Sequence, residues 1–264
     1  MTPLTEYADF HRLVVAFALT AIRIGVAMEL LPAMSSSMIT GLARRAAALS
    51  FAALAVPMTL DQMPPYEALT LPFLVPVVLK EVIVGLLIGF FAAVPFWIAE
   101  NVGNFIDNQR GATMGEVYSP LSGAQVSTTG IFFTQIVSTV FYVSGAVLVF
   151  LGAVYTSWRF IPIFATGPDF ASAAPTRMLG TLDSMIAATF VISAPVIILM
   201  FLATIGLGFV NRTAPQLNVF FLSMPIKSAL GIAMLVIYLP FIMDMLMYSD
   251  MGPIIKPVME VLGG

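Results

Sequence analysis

Six apolar runs set the terms on which this chain can fold. They lie near Leu13 to Leu31, Ala46 to Leu60, Val82 to Ala99, Ile131 to Tyr155, Met185 to Val210 and Ala229 to Tyr248. A helix crosses the hydrocarbon of a bilayer with about 17 to 25 apolar residues. The second run is short for that, whereas the fourth and fifth are long, free of charge, and read as ordinary spans. Charged residues make up 9% of the sequence and its mean hydropathy is +1.00, against about a quarter charged in a soluble domain. The chain therefore reads as an all-α integral membrane protein.

The same composition narrows function. Without cysteine there is no disulfide framework, thiolate chemistry or cysteine-ligated metal. A net charge of -3 with no basic run gives no reason to expect nucleic acid. A single histidine, His11, and scattered acids offer no catalytic or metal-binding set, so no enzyme, cofactor or metal is expected; His11 reads as a structural residue. The start, MTPLTEYADFHRLVV, carries Glu6 and Asp9 in place of a basic n-region, and the first apolar run is expected to be retained.

Pro57, Pro95, Pro195 and Pro240 fall within or at the ends of runs. Each removes a backbone donor and clashes with the preceding turn, so kinked and broken helical hairpins are expected, their freed carbonyls satisfied by protein. Taking six spans at face value, one side collects Arg12, Arg159, Arg177 and Lys256, and the other Arg44, Arg45, Arg110, Arg212 and Lys227. Four against five gives no orientation; a weakly biased polytopic protein and a protein whose segments do not all span remain open. Gly85, Gly89 and Ala93 put small residues on one helix face and predict a close helix contact. Gly206 and Gly208 could do the same or loosen their helix before Asn211.

Arg23, Lys80, Glu81 and Asp244 lie within or beside apolar runs, where an ionised group needs protein or water and a partner. Arg12 and Arg23 are eleven residues apart, about three turns, and share a face. Such groups could form a proton or substrate relay; salt bridging is the plainer reading. Met243, Met247 and Met251 repeat at four-residue spacing, with Met245 nearby, and suit either a compliant seal or ordinary packing.

Between two long apolar runs lies a polar, glycine-rich stretch, Glu100 to Gly130. Glu100, Asn104 and Asp107 form a polar stripe at helical spacing opposite Val102, Phe105 and Ile106. Asp107 and Arg110, at i and i+3, are placed to pair. Gly111 lets the chain leave the helix, and Gly115, Pro120 and Gly123 keep it irregular until the apolar run at Ile131. Only Glu116 is charged between Gly111 and Gly130, which fits a buried or pore-facing position better than free solvent.

Phe105 to Met114 (FIDNQRGATM), Ser119 to Gly130 (SPLSGAQVSTTG) with Phe132, Phe133 and Gln135, and Asn211 to Phe220 (NRTAPQLNVF) running on through Ser223 to Ser228 resemble the T subunit of the type III secretion export apparatus, the SctT/FliR family, the wording of the first motif being closer to the injectisome branch than to the flagellar one. The resemblance covers most of the chain. It implies a single membrane-embedded export-gate domain over residues 1–264, made of helical hairpins packed in a multi-subunit helical assembly at the bacterial inner membrane. It implies R and S subunits as partners, with the U and V export-gate subunits, unfolded secreted proteins as cargo, and membrane lipid around the assembly.

Carried onto this sequence, the family's pore plug loop maps to Gly111, Ala112, Thr113, Met114, Gly115, Glu116, Val117, Tyr118, Ser119, Pro120, Leu121, Ser122 and Gly123. Glu100, Asn104, Asp107 and Arg110 would anchor it, while Gln125 to Gly130 leads into the next helix. Asn211, Arg212, Pro215, Gln216, Asn218 and Lys227 would make subunit or intrachain contacts. Two alternatives stay open: a small-solute secondary transporter using Arg23, Glu81 and Asp244, and a purely structural subunit whose loop binds a partner outside the pore. Nothing resembles a nucleotide-binding loop, so the energy for export would come from elsewhere.

Overall fold

In this computed structural model the described residues are 3–35, 38–111, 127–165, 174–214, 216 and 218–248. Among them every regular element is a helix: α1 (Pro3–Leu30), α2 (Gly41–Asp61), α3 (Leu71–Arg110), α4 (Thr128–Val143), α5 (Ala146–Phe160), α6 (Ala174–Thr213) and α7 (Val219–Tyr248), with short 3-10 turns at Pro32–Met34 and Tyr66–Ala68. Four segments are long and apolar enough to span: Asp9–Leu30, Leu71–Arg110, Pro175–Thr213 and Phe221–Ile242. The helix of the short second apolar run, α2, is not among them. α3 and α6 have 40 residues each, about 60 Å at 1.5 Å per residue and twice the roughly 30 Å of bilayer hydrocarbon.

Two compact units can be told apart. One holds α1, α2, the part of α3 up to Val94, and α5. The other holds α3 from Pro95 onward, most of α4, α6 from Gly180, and α7.

The run Ile131 to Tyr155, whose hydropathy presents one ordinary span, is instead two helices, α4 and α5, bent by 73°. The chain turns at Gly145, which has φ 76°. Hydropathy is blind to such a break: the left-handed conformation that glycine adopts freely redirects a helix without any loss of apolar character. Prolines act less drastically here. Pro57, Pro195 and Pro240 sit inside α2, α6 and α7, and α3 continues through Pro95, since one missing donor leaves the rest of the ladder to hold the helix.

In the first unit, Gly85 and Gly89 bring α3 against the backbone of α1, as their spacing with Ala93 predicts. A Cβ added to Gly85 would lie 2.7 Å from the Arg23 carbonyl oxygen, and one on Gly89 2.8 Å from that of Ala27. Gly206 and Gly208 face open space within this chain, so they give no close contact of that kind.

That close approach sets up the buried charges. The Arg23 guanidinium donates from Nε and Nη2 to the two oxygens of Glu81, both at 2.7 Å. Nη1 donates to Ser157 Oγ at 2.8 Å and Nη2 also to the Ile161 carbonyl at 3.0 Å. The guanidinium lies 5.4 Å from the centre of the Trp158 ring, within reach of a cation–π attraction. Next in sequence, Lys80 donates from Nζ to the carbonyls of Pro162, Ile163 and Ala165, placing a cation beyond the C-terminus of α5, where unsatisfied carbonyls and the helix dipole favour it. α1, α3 and α5 are thus joined by salt bridging, and nearly every donor of Arg23 has an acceptor.

Asp244, by contrast, is exposed on α7, and the side chains of Met243, Met245 and Met247, with Met251, lie outside the described residues. His11 packs edge-on against Tyr66 with ring centres 5.1 Å apart.

Removing one partner of a fully buried ion pair leaves the other uncompensated, so Glu81→Ala is expected to destabilise the protein by about 3–5 kcal/mol. The double variant Arg23→Met with Glu81→Leu should recover most of that loss. Thermal unfolding in detergent checks both, and a single variant as stable as the parent would refute the role given to this pair.

Candidate functional site

α3 keeps its helical bonds to Arg110 because the polar stripe of its last turns is compatible with helix, and it stops at Gly111, whose φ of 77° is the left-handed conformation that commonly ends helices. The next described residue is Ser127, immediately before α4. Ala112 to Gly123, nearly all of the mapped plug loop, lies outside the described residues, as does Pro215.

The end of α3 and the start of α4 are tied together by one carboxylate. Asp107 Oδ2 accepts from Ser127 Oγ at 2.7 Å and from the Thr129 backbone N–H at 3.0 Å. Oδ1 accepts from Thr129 Oγ1 at 2.6 Å and from Arg110 Nη2 at 2.7 Å. Arg110 Nη2 also donates to Thr129 Oγ1 at 3.2 Å. Ser127 Oγ in turn accepts from the Gly130 N–H at 2.9 Å, the bond of a helix N-cap. Asp107 is 1% exposed, so its charge is supported by Arg110, two hydroxyls and the positive end of α4.

Glycine makes this geometry possible. A Cβ on Gly103 would fall 2.3 Å from Gly130 N and 2.4 Å from its Cα, so α3 and α4 meet backbone to backbone. Of the other candidate anchors, Asn104 has its Oδ1 3.0 Å from where a Cβ on Gly130 would sit, and Glu100 presents its carbonyl to the same point while its side chain is exposed. Sequence reasoning missed Gly103, Ser127, Thr129 and Gly130, assigning the last three to a mere lead-in. The run Ser127-Thr128-Thr129 just ahead of an apolar helix carried the signal, since such residues cap helix starts.

The second motif lies at the same end of this unit. The Cβ position of Gly111 is 3.6 Å from the Met224 side chain, little more than a turn into α7. Asn211 and Arg212 close α6, Gln216 and Asn218 occupy the turn that follows, and all four are exposed. Lys227 is half-buried on α7. α3 also packs on α6 through Phe105 and Phe190, edge to face at 4.9 Å.

Fold and site together define a multi-pass α-helical membrane protein in which one polar segment is pinned at both ends beside a second polar turn. Residues 14–249 match the family model described as bacterial export proteins, family 1. The chain is 36% identical over 259 residues, 95% of its length and 97% of the relative's, to the Yop proteins translocation protein T of Yersinia pestis. It is 38% identical over 165 residues, 61% of its length and 62% of the relative's, to the secretion system apparatus protein SsaT of Salmonella typhimurium. It is 32% identical over 159 residues, 60% of its length and 61% of the relative's, to the flagellar biosynthetic protein FliR of Bacillus subtilis. The chain belongs to this family of bacterial export proteins, as a type III secretion T subunit: a multi-pass inner-membrane component of a multi-subunit secretion apparatus.

Asp107→Ala would strip four polar contacts from a buried point, and the expected loss is about 3 kcal/mol locally. Hydrogen exchange at the Thr129 and Gly130 amides should then accelerate by about two orders of magnitude, at 1.4 kcal/mol per tenfold. Gly103→Ala, by prising the helices apart, is expected to produce the same signature with Asp107 intact. Unchanged exchange in both would exclude the clamp.

Proposed function

We propose that this protein forms part of the conduit for unfolded secreted proteins, and that Gly111 to Gly123 is a plug loop that keeps the conduit closed when idle. The observation that carries this reading is the clamp at Asp107, which holds the two ends of the segment together while its interior has few groups for strong bonding. Between Gly111 and Gly130 only Glu116 is charged, and small and apolar side chains around Met114, Val117, Tyr118 and Leu121 suit a seal against ions. Gly111, Gly115 and Gly123 supply hinges, so the loop can yield to a passing chain while its base stays fixed.

Assembly follows the same reading. The whole chain acts as one export-gate domain, with the R and S subunits packed around it and the U and V subunits beside it. Exposed Asn211, Arg212, Gln216 and Asn218, with Pro215 and Lys227, contact those subunits. The protein's part is passive gating, not catalysis. The secondary-transporter reading loses its support at Arg23 and Glu81, whose bonds to each other and to Ser157 and Ile161 leave no free site for a solute.

Deleting Gly111 to Gly123 from the assembled complex is expected to raise ion conductance in a planar bilayer, with Asp107→Ala giving a smaller leak. Normal assembly with parental conductance in the deletion would overturn the plug. Photocrosslinkers at Met114 or Tyr118 should capture a stalled substrate; capture only of a neighbouring subunit would favour the purely structural role.

A further inference from the structure

The α1–α2 hairpin carries a feature that the export reading leaves unused. An apolar groove with a volume of about 410 Å³ is lined by Leu13, Val14, Phe17, Ala53 and Val56, within the roughly 300–1,000 Å³ of small-molecule sites. Its floor is firm, because Val56 is buried in a cluster with Ala16 and Met63. Its rim is open: Leu13 and Val14 are 46% and 49% exposed.

At one end of the groove, polar groups stand without sufficient partners. Arg12, the residue before Leu13, makes one long bond, from Nη2 to the Met63 carbonyl at 3.5 Å, and its Nε is shielded from solvent with no acceptor among the described residues. His11 Nδ1 is likewise shielded and without a partner, and its ring rests on Tyr66. Asp9, one turn earlier, is exposed, and none of the ion pairs among the described residues engages Arg12.

The apolar run of α1 begins at Leu13, so Arg12 and His11, just ahead of it, and Tyr66 packed on His11 are placed at headgroup level, where tyrosine is favoured. From Arg12 to Phe17 the groove descends toward the hydrocarbon by about 7.5 Å at 1.5 Å per residue. A cation with spare donors at headgroup depth, directly above an apolar channel, has the polarity of a phospholipid. A helix of a neighbouring subunit would have to bring both an apolar face and an acidic side chain to this depth, whereas a single phospholipid supplies the apolar chain and a phosphate that matches the guanidinium's fork of donors. We propose that this groove seats an acyl chain of an anionic phospholipid whose phosphate is held by Arg12, with His11 as an additional donor.

The test uses the full chain in its assembled complex, in vesicles containing a phosphatidylglycerol probe with a photoreactive acyl chain or the matching phosphatidylcholine probe. Label is expected to concentrate on residues 13–17 and 53–56, with the anionic probe preferred by roughly five- to tenfold, the scale of one net hydrogen bond. Arg12→Gln should erase that preference and Arg12→Lys should retain part of it. Ala53→Phe, at an exposed position of α2, fills the groove without touching Arg12 and should abolish labelling by both probes; it decides the matter alone if Arg12→Gln does not assemble. Label spread evenly over α1, α6 and α7, a preference that survives Arg12→Gln, labelling that survives Ala53→Phe, or capture of Phe17 by a partner subunit in place of lipid would each overturn the proposal.

Discussion

Arg23 cannot leave its place among α1, α3 and α5 without giving up Glu81, Ser157 and the Ile161 carbonyl at once. An ionised group away from water has no solvent to fall back on, so its surroundings must be complete before it is stable. Much of the first unit follows from that demand. Gly85 and Gly89 allow α3 to approach α1 closely enough for Glu81 to reach across. α5 ends where the carbonyls of the residues just after it, Ile161 to Ala165, meet Arg23 and Lys80. The charges therefore specify which helices meet and at what height, a task that apolar contacts in a lipid setting perform poorly, because lipid tails compete for them on equal terms.

Asp107 works by the same logic on a different scale. Its partners come from the two ends of one segment, so the carboxylate closes a loop where the Arg23 cluster joins helices distant in sequence. In both arrangements every carboxylate oxygen is engaged, and that argues for fixed supports. A proton or solute relay needs carboxylates that can exchange partners, and the oxygens of Glu81 and Asp107 are all occupied.

Much of the fold could be read from the residues because membrane helices are written in long apolar runs, and the small-residue spacing at Gly85, Gly89 and Ala93 carried its contact plainly. The break at Gly145 was hidden, since a left-handed glycine leaves hydropathy untouched. At the site, the i, i+3 relation of Asp107 and Arg110 was legible from one helix alone. Their bonds to Ser127 and Thr129 were not, because pairings across some twenty residues depend on where the chain returns. Gly103 was equally silent: nothing in its sequence neighbourhood reports a backbone 2.3 Å from where its Cβ would be. The longest-range inference, the relation of this chain to bacterial export proteins, came from two motifs of distinctive wording and not from periodicity.

The 40-residue lengths of α3 and α6 bear on how a cell must handle this polypeptide. A helix that outruns the hydrocarbon by a factor of about two has to tilt steeply, distort the bilayer or expose apolar turns to water, each at a cost that grows with the mismatch. The outer face of α7 adds to this, only 11% of its spanning window being buried within the chain. A newly inserted copy is thus a poor fit to the lipid it enters, a misfit that packing against other subunits of an apparatus would relieve. Its steady-state abundance should then track the supply of those neighbours, with surplus copies exposed to membrane proteolysis by the same oversized helices.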